Sequence, residues 1–255
     1  MIYIPSRRRA HLIAKSLPAL RATRVPVTIV IEREDLGEYR DLVGFESEIR
    51  LYVLPASNRG VSYARRAILR LAMRRGEGDG IIMCDDDVKP PPNVVKLRAF
   101  LGRRSEIAGV GCWFPIYQHF GGYEPNTGPQ VHSGAMGKRL FAVRPKLAIE
   151  LGCFTTPLQA NDDNDMIMRH IRAGYVPWYI HTDVQGVSLA LRSAPGGIAS
   201  LPGSFEEKNA HDLELLNAEF GAGFASYSKR GGIRFSWKKM YKVWQPTIDY
   251  GSLRP

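Results

Sequence analysis

Two hydrophobic periods alternate along the first hundred residues. Ile2 to Ile4 is a short apolar run closed by Pro5-Ser6 and reads as a strand. From Arg8 to Leu20 the apolar residues Ala10, Ile13, Ala14, Leu17 and Leu20 recur at helical spacing, with Pro18 as an interruption. Val27 to Ile31 is β-branched and reads as a buried strand, Asp35 to Val43 as a short helix, and Ile49 to Leu54 as a third strand. After a loop from Pro55 to Gly60, Val61 to Arg75 forms a strongly basic amphipathic helix, and Gly80 to Cys84 is a strand that stops abruptly at Asp85-Asp86-Asp87. Strands alternating with helices predict an α/β fold with a mostly parallel sheet flanked by helices, and such sheets bind ligands beyond the carboxyl ends of their strands.

The second half changes character. Gly109 to Phe114 and Ala142 to Arg144 read as strands around a glycine-rich, aromatic loop from Pro115 to Gly137. Leu147 to Gly152 and Asp165 to Ala173 read as helices, Tyr175 to His181 as a strand, Gln185 to Ser204 as a mobile loop, and Phe205 to Phe220 as a helix. With no linker composition in between, residues 1–255 are expected to form one domain, 1–100 supplying one half of a site and 101–255 the other.

With 44% hydrophobic and 24% charged residues, the composition is that of a chain with a sizeable core, which excludes disorder. No apolar run approaches the roughly 20 residues of a membrane helix, and the basic residues Arg7 to Arg9 follow the strand-like start instead of preceding an apolar stretch. A cytoplasmic protein without a membrane partner is therefore expected. Cys84, Cys112 and Cys153 are odd in number and far apart, which fits buried thiols in a reducing compartment. The formal charge of +10 points to an acidic partner or, more simply, to solubility.

Asp85-Asp86-Asp87 is the most specific feature. Three carboxylates at the end of a buried strand repel one another unless a cation sits among them. In an extended segment Asp85 and Asp87 would share one side and Asp86 the other. A solvated acidic turn before Pro90-Pro91-Pro92 is the plainer reading. Asn58-Arg59-Gly60 followed by Arg65 puts a helix start and two arginines where an anion is favoured, although Arg65-Arg66 could also be a solvated face. Asn161-Asp162-Asp163-Asn164-Asp165 suits a helix N-terminus, where carboxylates are stabilised.

Here the chain resembles nucleotide-sugar glycosyltransferases of the GT-A fold. Their D-x-D motif, matched by Asp85-Asp86-Asp87, ends a strand and holds Mn2+ or Mg2+ on the sugar nucleotide. The resemblance implies that Pro5, Ser6 and Arg7 touch the uridine, that Glu32 or Arg33 faces the base, and that Asn58, Arg59, Gly60 and Arg65 lie by the diphosphate with Asp85 and Asp86. Asp85 and Asp87 become metal ligands, with His181 a third and Asp183 its alternative. The acidic segment then matches the family's E-D-x-D-like motif, with Asp162 in place of the usual Glu. The base is Asp162, Asp163 or Asp165, and Asp163 has the favoured position. The loop around Gly196-Gly197 would be a lid over the donor.

Over most of its length the chain is similar to the phage TET-associated glycosyltransferases, which act on 5-hydroxymethylcytosine in DNA. That resemblance implies a metal-dependent hexose transfer from a UDP-sugar, UDP-glucose or UDP-N-acetylglucosamine, to the base hydroxymethyl, with a TET-like dioxygenase as functional partner. It implies the host cytoplasm if the chain is phage-encoded. Trp113, Phe114, Tyr117, Gln118, His119 and Phe120 could line the acceptor pocket. Two basic zones could meet DNA: the helix bearing Arg65, Arg66, Arg70, Arg74 and Arg75, and Lys229 to Lys242, where Phe235, Trp237 and Tyr241 interleave. Packing of those aromatics on the core is the plainer reading of the second zone. A polysaccharide, lipid or protein acceptor, and a DNA-binding protein with a degenerate transferase site, are the alternatives.

Overall fold

The computed structural model describes all residues except 45–46, 58, 106, 114–128, 132–138, 176–178, 190–201, 229–231 and 245–255. The side chains of residues 113, 129–131, 179–182, 237–238 and 241 also lie outside the description.

Strands β1 (Ile2–Pro5), β2 (Val27–Ile31), β3 (Ile49–Val53) and β4 (Ile81–Cys84) form the parallel half of the main sheet. β2 and β4 are covered on both faces, with all five residues of β2, Thr28 included, and all four of β4 buried, whereas the edge strand β3 leaves Arg50 exposed. Each buried Ile or Val contributes about 1.5–3 kcal/mol of transfer free energy. Helices α1 (Ala10–Ala22), α2 (Leu36–Val43) and α3 (Gly60–Arg74) connect them, with a short 3-10 turn at Arg33–Asp35. Pro18 stands inside α1 without ending it, on an exposed position.

Beyond β4 the direction mixes. β8 (Leu140–Val143) runs antiparallel to both β4 and β6 (Gly109–Trp113), and β9 (Tyr179–Gln185) runs parallel to β6 and antiparallel to β7 (Pro129–Val131). Among the described residues the main sheet is 8-stranded, in the order β3-β2-β1-β4-β8-β6-β9-β7. The carboxyl ends of β1, β2 and β4 open on one edge, which is where the candidate site lies.

Several elements differ from the sequence expectation. Val88–Lys89 (β5) pairs antiparallel with Val187–Ser188 (β10), so what reads as the start of a mobile loop is a strand fastened behind the aspartates. Residues Val95–Gly102 form α4, whose Leu97, Phe100 and Leu101 are buried; the preceding prolines mask it in sequence. After α5 (Pro145–Glu150), α6 covers Asp162–Arg172 and so begins three residues earlier than apolar periodicity suggests. Its first turn holds Asp162, Asp163 and Asp165, charges favoured at that end of a helix. Tyr175 closes the turn after α6 instead of opening β9. The loop tip with Gly196-Gly197 lies outside the described residues.

Helix α7 (Phe205–Phe220) starts at a reciprocal cap in which Ser204 accepts from the Glu207 amide and Glu207 accepts from the Ser204 amide. The last elements among the described residues are a hairpin of β11 (Ala225–Tyr227) and β12 (Ile233–Phe235) and helix α8 (Trp237–Trp244). Met240 is fully buried, Phe235 and Trp244 pack on the core, and the Trp244 ring stands 4.7 Å from Phe224. Of the aromatics interleaved in the basic segment Lys229 to Lys242, Phe235 packs on the core, and the side chains of Trp237 and Tyr241 lie outside the description. Lys239 and Lys242 are exposed, and Lys229 and Arg230 lie outside the described residues. No described helix is long and apolar enough to cross a membrane. Cys84, Cys112 and Cys153 are buried free thiols, as their spacing suggests, and burial raises the pKa of each.

Candidate functional site

The chain leaves β1 through a strained turn: Arg8 adopts φ 53, and its amide donates to Asp35 Oδ2 at 3.0 Å. This turn aims Ser6 at the end of β4, where its hydroxyl donates to Asp86 Oδ2 at 2.7 Å and lies 2.6 Å from the Tyr39 hydroxyl. Arg9 NH1 meets the other Asp86 oxygen at 3.0 Å. Asp86 thus joins β1 to β4, with both oxygens engaged. Arg7 and Glu32, both expected at the nucleotide, face each other at 3.1 Å across the ends of β1 and β2. Pro5 ends β1, and Arg33 is exposed on the turn after Glu32.

The three aspartates sit in a turn instead of an extended segment, since the Val88 amide returns to the Asp85 carbonyl at 3.3 Å. Each carboxylate consequently has its own cationic neighbour. Asp85 pairs with Arg65 at 2.9 Å, and Asp87 lies 3.6 Å from Arg139, which also donates to the Ser188 hydroxyl. The Leu189 amide donates to the Asp87 carbonyl at 2.7 Å, so β10 holds the turn from behind.

Arg65 was expected on a diphosphate; the structure instead buries it between two carboxylates. Its second amino nitrogen is 3.0 Å from Asp162 Oδ2, and its guanidinium lies over the rings of Phe141 and Phe154. Burial alone would lower the pKa of Arg65, but Asp162 and Asp85 outweigh it and the group is held raised. Burial raises Asp85 and Asp162 as well, because one guanidinium shared between two carboxylates does not restore what each lost on leaving water.

Helix α3 begins at Gly60 with φ 79, a conformation that only glycine adopts cheaply. The side chain of Arg59, at the cap position, makes no hydrogen bond to the helix start and is exposed. Ser62 anchors this end by donating to the Leu158 carbonyl at 3.1 Å. Asn58 lies outside the described residues.

In α6 the three acidic candidates separate. Asp165 is fully buried. It accepts from the Phe154 amide at 3.2 Å and from Thr156 at 3.1 Å, and it pairs with Arg169 at 3.0 Å. That removes it from contact with any acceptor and corrects its place among the catalytic candidates. It holds Phe154, at φ 60, beneath Arg65. Asp162 is 4% exposed and turned to Arg65. Asp163 alone of the three has appreciable surface, with its Oδ1 accepting from the Asn164 amide at 2.8 Å, and it is close enough to act electrostatically on Arg65.

For a metal, Asp87 offers a buried Oδ1 without a hydrogen-bond partner among the described residues, an atom that a divalent cation would satisfy. Asp85 lies beside it, 28% exposed at the side chain. No group of three or more His, Cys, Asp or Glu poised to hold a metal occurs among the described residues. His181 lies on β9 with its side chain outside the description, and Asp183 lies 3.9 Å from Lys96 with its side chain 36% exposed. The aromatics expected at the acceptor are outside the description too. A cavity of about 370 Å³ lined by Leu20, Val27 and Ile49 lies at the opposite ends of the strands, away from this chemistry.

Arg9, Tyr39 and Arg139 are site residues that sequence reasoning missed. Arg9 had a weak signal in the run Arg7-Arg8-Arg9, whereas Tyr39 and Arg139 are brought in by tertiary packing alone.

Among known structures, S. aureus TarS residues 1–349 in complex with UDP-GlcNAc matches with TM-score 0.57 at 12% identity, over 85% of this chain and 66% of that one. The same S. aureus protein in complex with UDP matches with TM-score 0.49 at 13% identity, over 98% and 75%. This chain thus spans about two thirds of the first relative's length. None of the curated proteins matches it in sequence. The fold is of the GT-A type, and residues 1–91, from the first strand through the aspartate turn to Pro91, match the family TET-Associated Glycosyltransferase.

Proposed function

We propose that this protein is a glycosyltransferase that moves a hexose from a UDP-sugar to the hydroxymethyl group of 5-hydroxymethylcytosine in DNA. The observation that carries the reading is the bridge Asp85–Arg65–Asp162, which brings the end of β4 and the start of α6 to one place. It leaves Asp163 at the surface beside them. The family matched by residues 1–91 supports transfer chemistry and a hydroxymethylated acceptor, and the UDP-GlcNAc held by the TarS chain supports a UDP-sugar donor.

Asp85 and Asp87 would hold Mn2+ or Mg2+, with His181, water or diphosphate oxygens completing the shell; when bound, the metal neutralises charge on the departing diphosphate. The start of α3 with Arg59, whose side chain makes no cap bond, would favour that same negative charge. The Arg7–Glu32 pair and Ser6 line the end of the sheet where the nucleoside would rest. Arg65 acts through its carboxylates: it neutralises Asp162 and so leaves Asp163 as the accessible base. Asp163 takes the acceptor hydroxyl proton as the oxygen attacks the anomeric carbon, and UDP leaves from the opposite face, inverting that carbon. A single domain spanning both halves suits this arrangement, and a TET-like dioxygenase would supply the hydroxymethyl group.

The test is to incubate the protein with Mn2+, a panel of UDP-sugars and hydroxymethylcytosine DNA, then to weigh the digested nucleosides. A hexose or N-acetylhexosamine increment on hydroxymethylcytidine is expected. Donor turnover without any DNA increment, together with transfer to a glycan, lipid or protein acceptor, would replace the DNA reading.

A further inference from the structure

Outside the carboxylate site, helix α3 presents a second constellation. Arg66, Arg70 and Arg74 stand four residues apart on one stripe of the helix, about 6 Å per step. With Tyr52, Pro55, Tyr63 and Ala67 they line a shallow groove of about 130 Å³ that no acidic residue enters. Among the described residues no ion pair or hydrogen bond engages Arg66 or Arg70, and Arg74 donates only to the Tyr52 hydroxyl, at 3.3 Å. Arg50, two residues before Tyr52 on the edge strand β3, shares its face of the sheet and is exposed.

Folding does not account for this stripe. Like charges at i and i+4 destabilise a helix by about 0.2–0.5 kcal/mol per pair, and solubility alone is met as well by interspersed signs. The groove is too small to enclose a nucleotide. What fits it is an extended polyanion laid along the helix, with Tyr63 and Tyr52 offering flat surfaces beside it. The groove reaches Tyr63 in the first turns of α3, the end of the helix from which Arg65 reaches Asp85 on a different face.

We infer that the groove of Arg66, Arg70 and Arg74 is a docking surface for the phosphodiester backbone of DNA, separate from the residues that do the chemistry. The inference rests on the DNA-acceptor reading and adds the face on which the duplex lies.

The experiment is fluorescence anisotropy of a labelled, unmodified duplex with the wild-type protein and the triple variant Arg66→Gln, Arg70→Gln, Arg74→Gln, across about 50–200 mM salt. Each arginine that neutralises a phosphate contributes about 0.9 to the slope of log affinity against log salt, so the triple variant should bind more weakly with a slope shallower by about 2–3. UDP-sugar hydrolysis and the unfolding midpoint should be unchanged or, for the midpoint, raised. The single variant Arg70→Gln should lose about one third of the slope difference and serves if the triple variant folds poorly. An unchanged slope, salt-insensitive wild-type binding, or a loss seen only with phosphatidylcholine–phosphatidylserine vesicles would overturn the inference. Sugar transfer to hydroxymethylated DNA with an unchanged slope sinks this surface alone. A shallower slope in the variant with no sugar on DNA sinks the acceptor reading alone.

Discussion

Arg65 lies 2.9 Å from Asp85 and 3.0 Å from Asp162, and so joins two motifs that are far apart in the chain. Its replacement by Ala should leave the buried Asp162 and the half-buried Asp85 without their shared cation, at a cost of about 3 kcal/mol in denaturant unfolding. Arg65→Lys should cost less and still impair transfer, since an ammonium cannot fork between two carboxylates. Wild-type stability in both variants would show that the bridge does not hold the halves together.

Metal dependence should follow the turn after β4. Chelator treatment should abolish sugar transfer and Mn2+ should restore it. Asp87→Asn should weaken Mn2+ affinity measured by titration calorimetry while the fold survives, because Asn keeps the side-chain volume beside Arg139. Undiminished transfer in excess chelator would remove the metal from the mechanism.

Asp165 and Asp163 should differ sharply in their response to the same amide replacement. Asp165→Asn removes the charge facing Arg169 within the core and weakens the hold on Phe154, so stability should fall by about 3 kcal/mol or more. In Asp163→Asn, which removes one charge from the first turn of α6, stability should change by no more than about 1 kcal/mol. Unfolding curves of the two variants decide between these.

His170 is fully buried in α6, and burial lowers its pKa to about 3. An unfolded histidine takes up its proton near pH 6.5, so between about pH 6.5 and 3 the unfolded state binds a proton that the native state does not. Its contribution therefore lowers stability as pH falls through that window, by about 1.4 kcal/mol per pH unit, while the raised aspartates act in the opposite sense. His170→Leu cancels only the histidine part. The stability difference between wild type and variant should be constant above pH 7 and shift in favour of the variant below pH 6; a constant difference throughout would show that His170 ionises normally.

The parallel half of the sheet was legible because β2 and β4 carry continuous apolar runs bounded by proline, glycine or aspartate. The aspartate turn was legible for the same reason, as charge at the end of a buried strand is costly. Periodicity did not find β5 and β10, since two-residue strands have no period to read and Val187-Ser188 sits in a stretch of small residues. The early start of α6 was hidden because its first turn is polar, and Arg65 was read as facing a ligand when it faces Asp85 and Asp162. Such pairings across the chain are created by the fold, as the engagement of Asp86 by Arg9 and of Asp87 by Arg139 also illustrates.

The most direct test compares wild type with Asp163→Asn in Mn2+, UDP-sugar and hydroxymethylcytosine DNA, following sugar addition to the nucleoside by mass. The variant should bind UDP-sugar as wild type does and transfer about 10²–10⁴ times more slowly. Transfer at the wild-type rate would contradict the proposal that Asp163, half-buried beside Arg65 and Asp162, is the base.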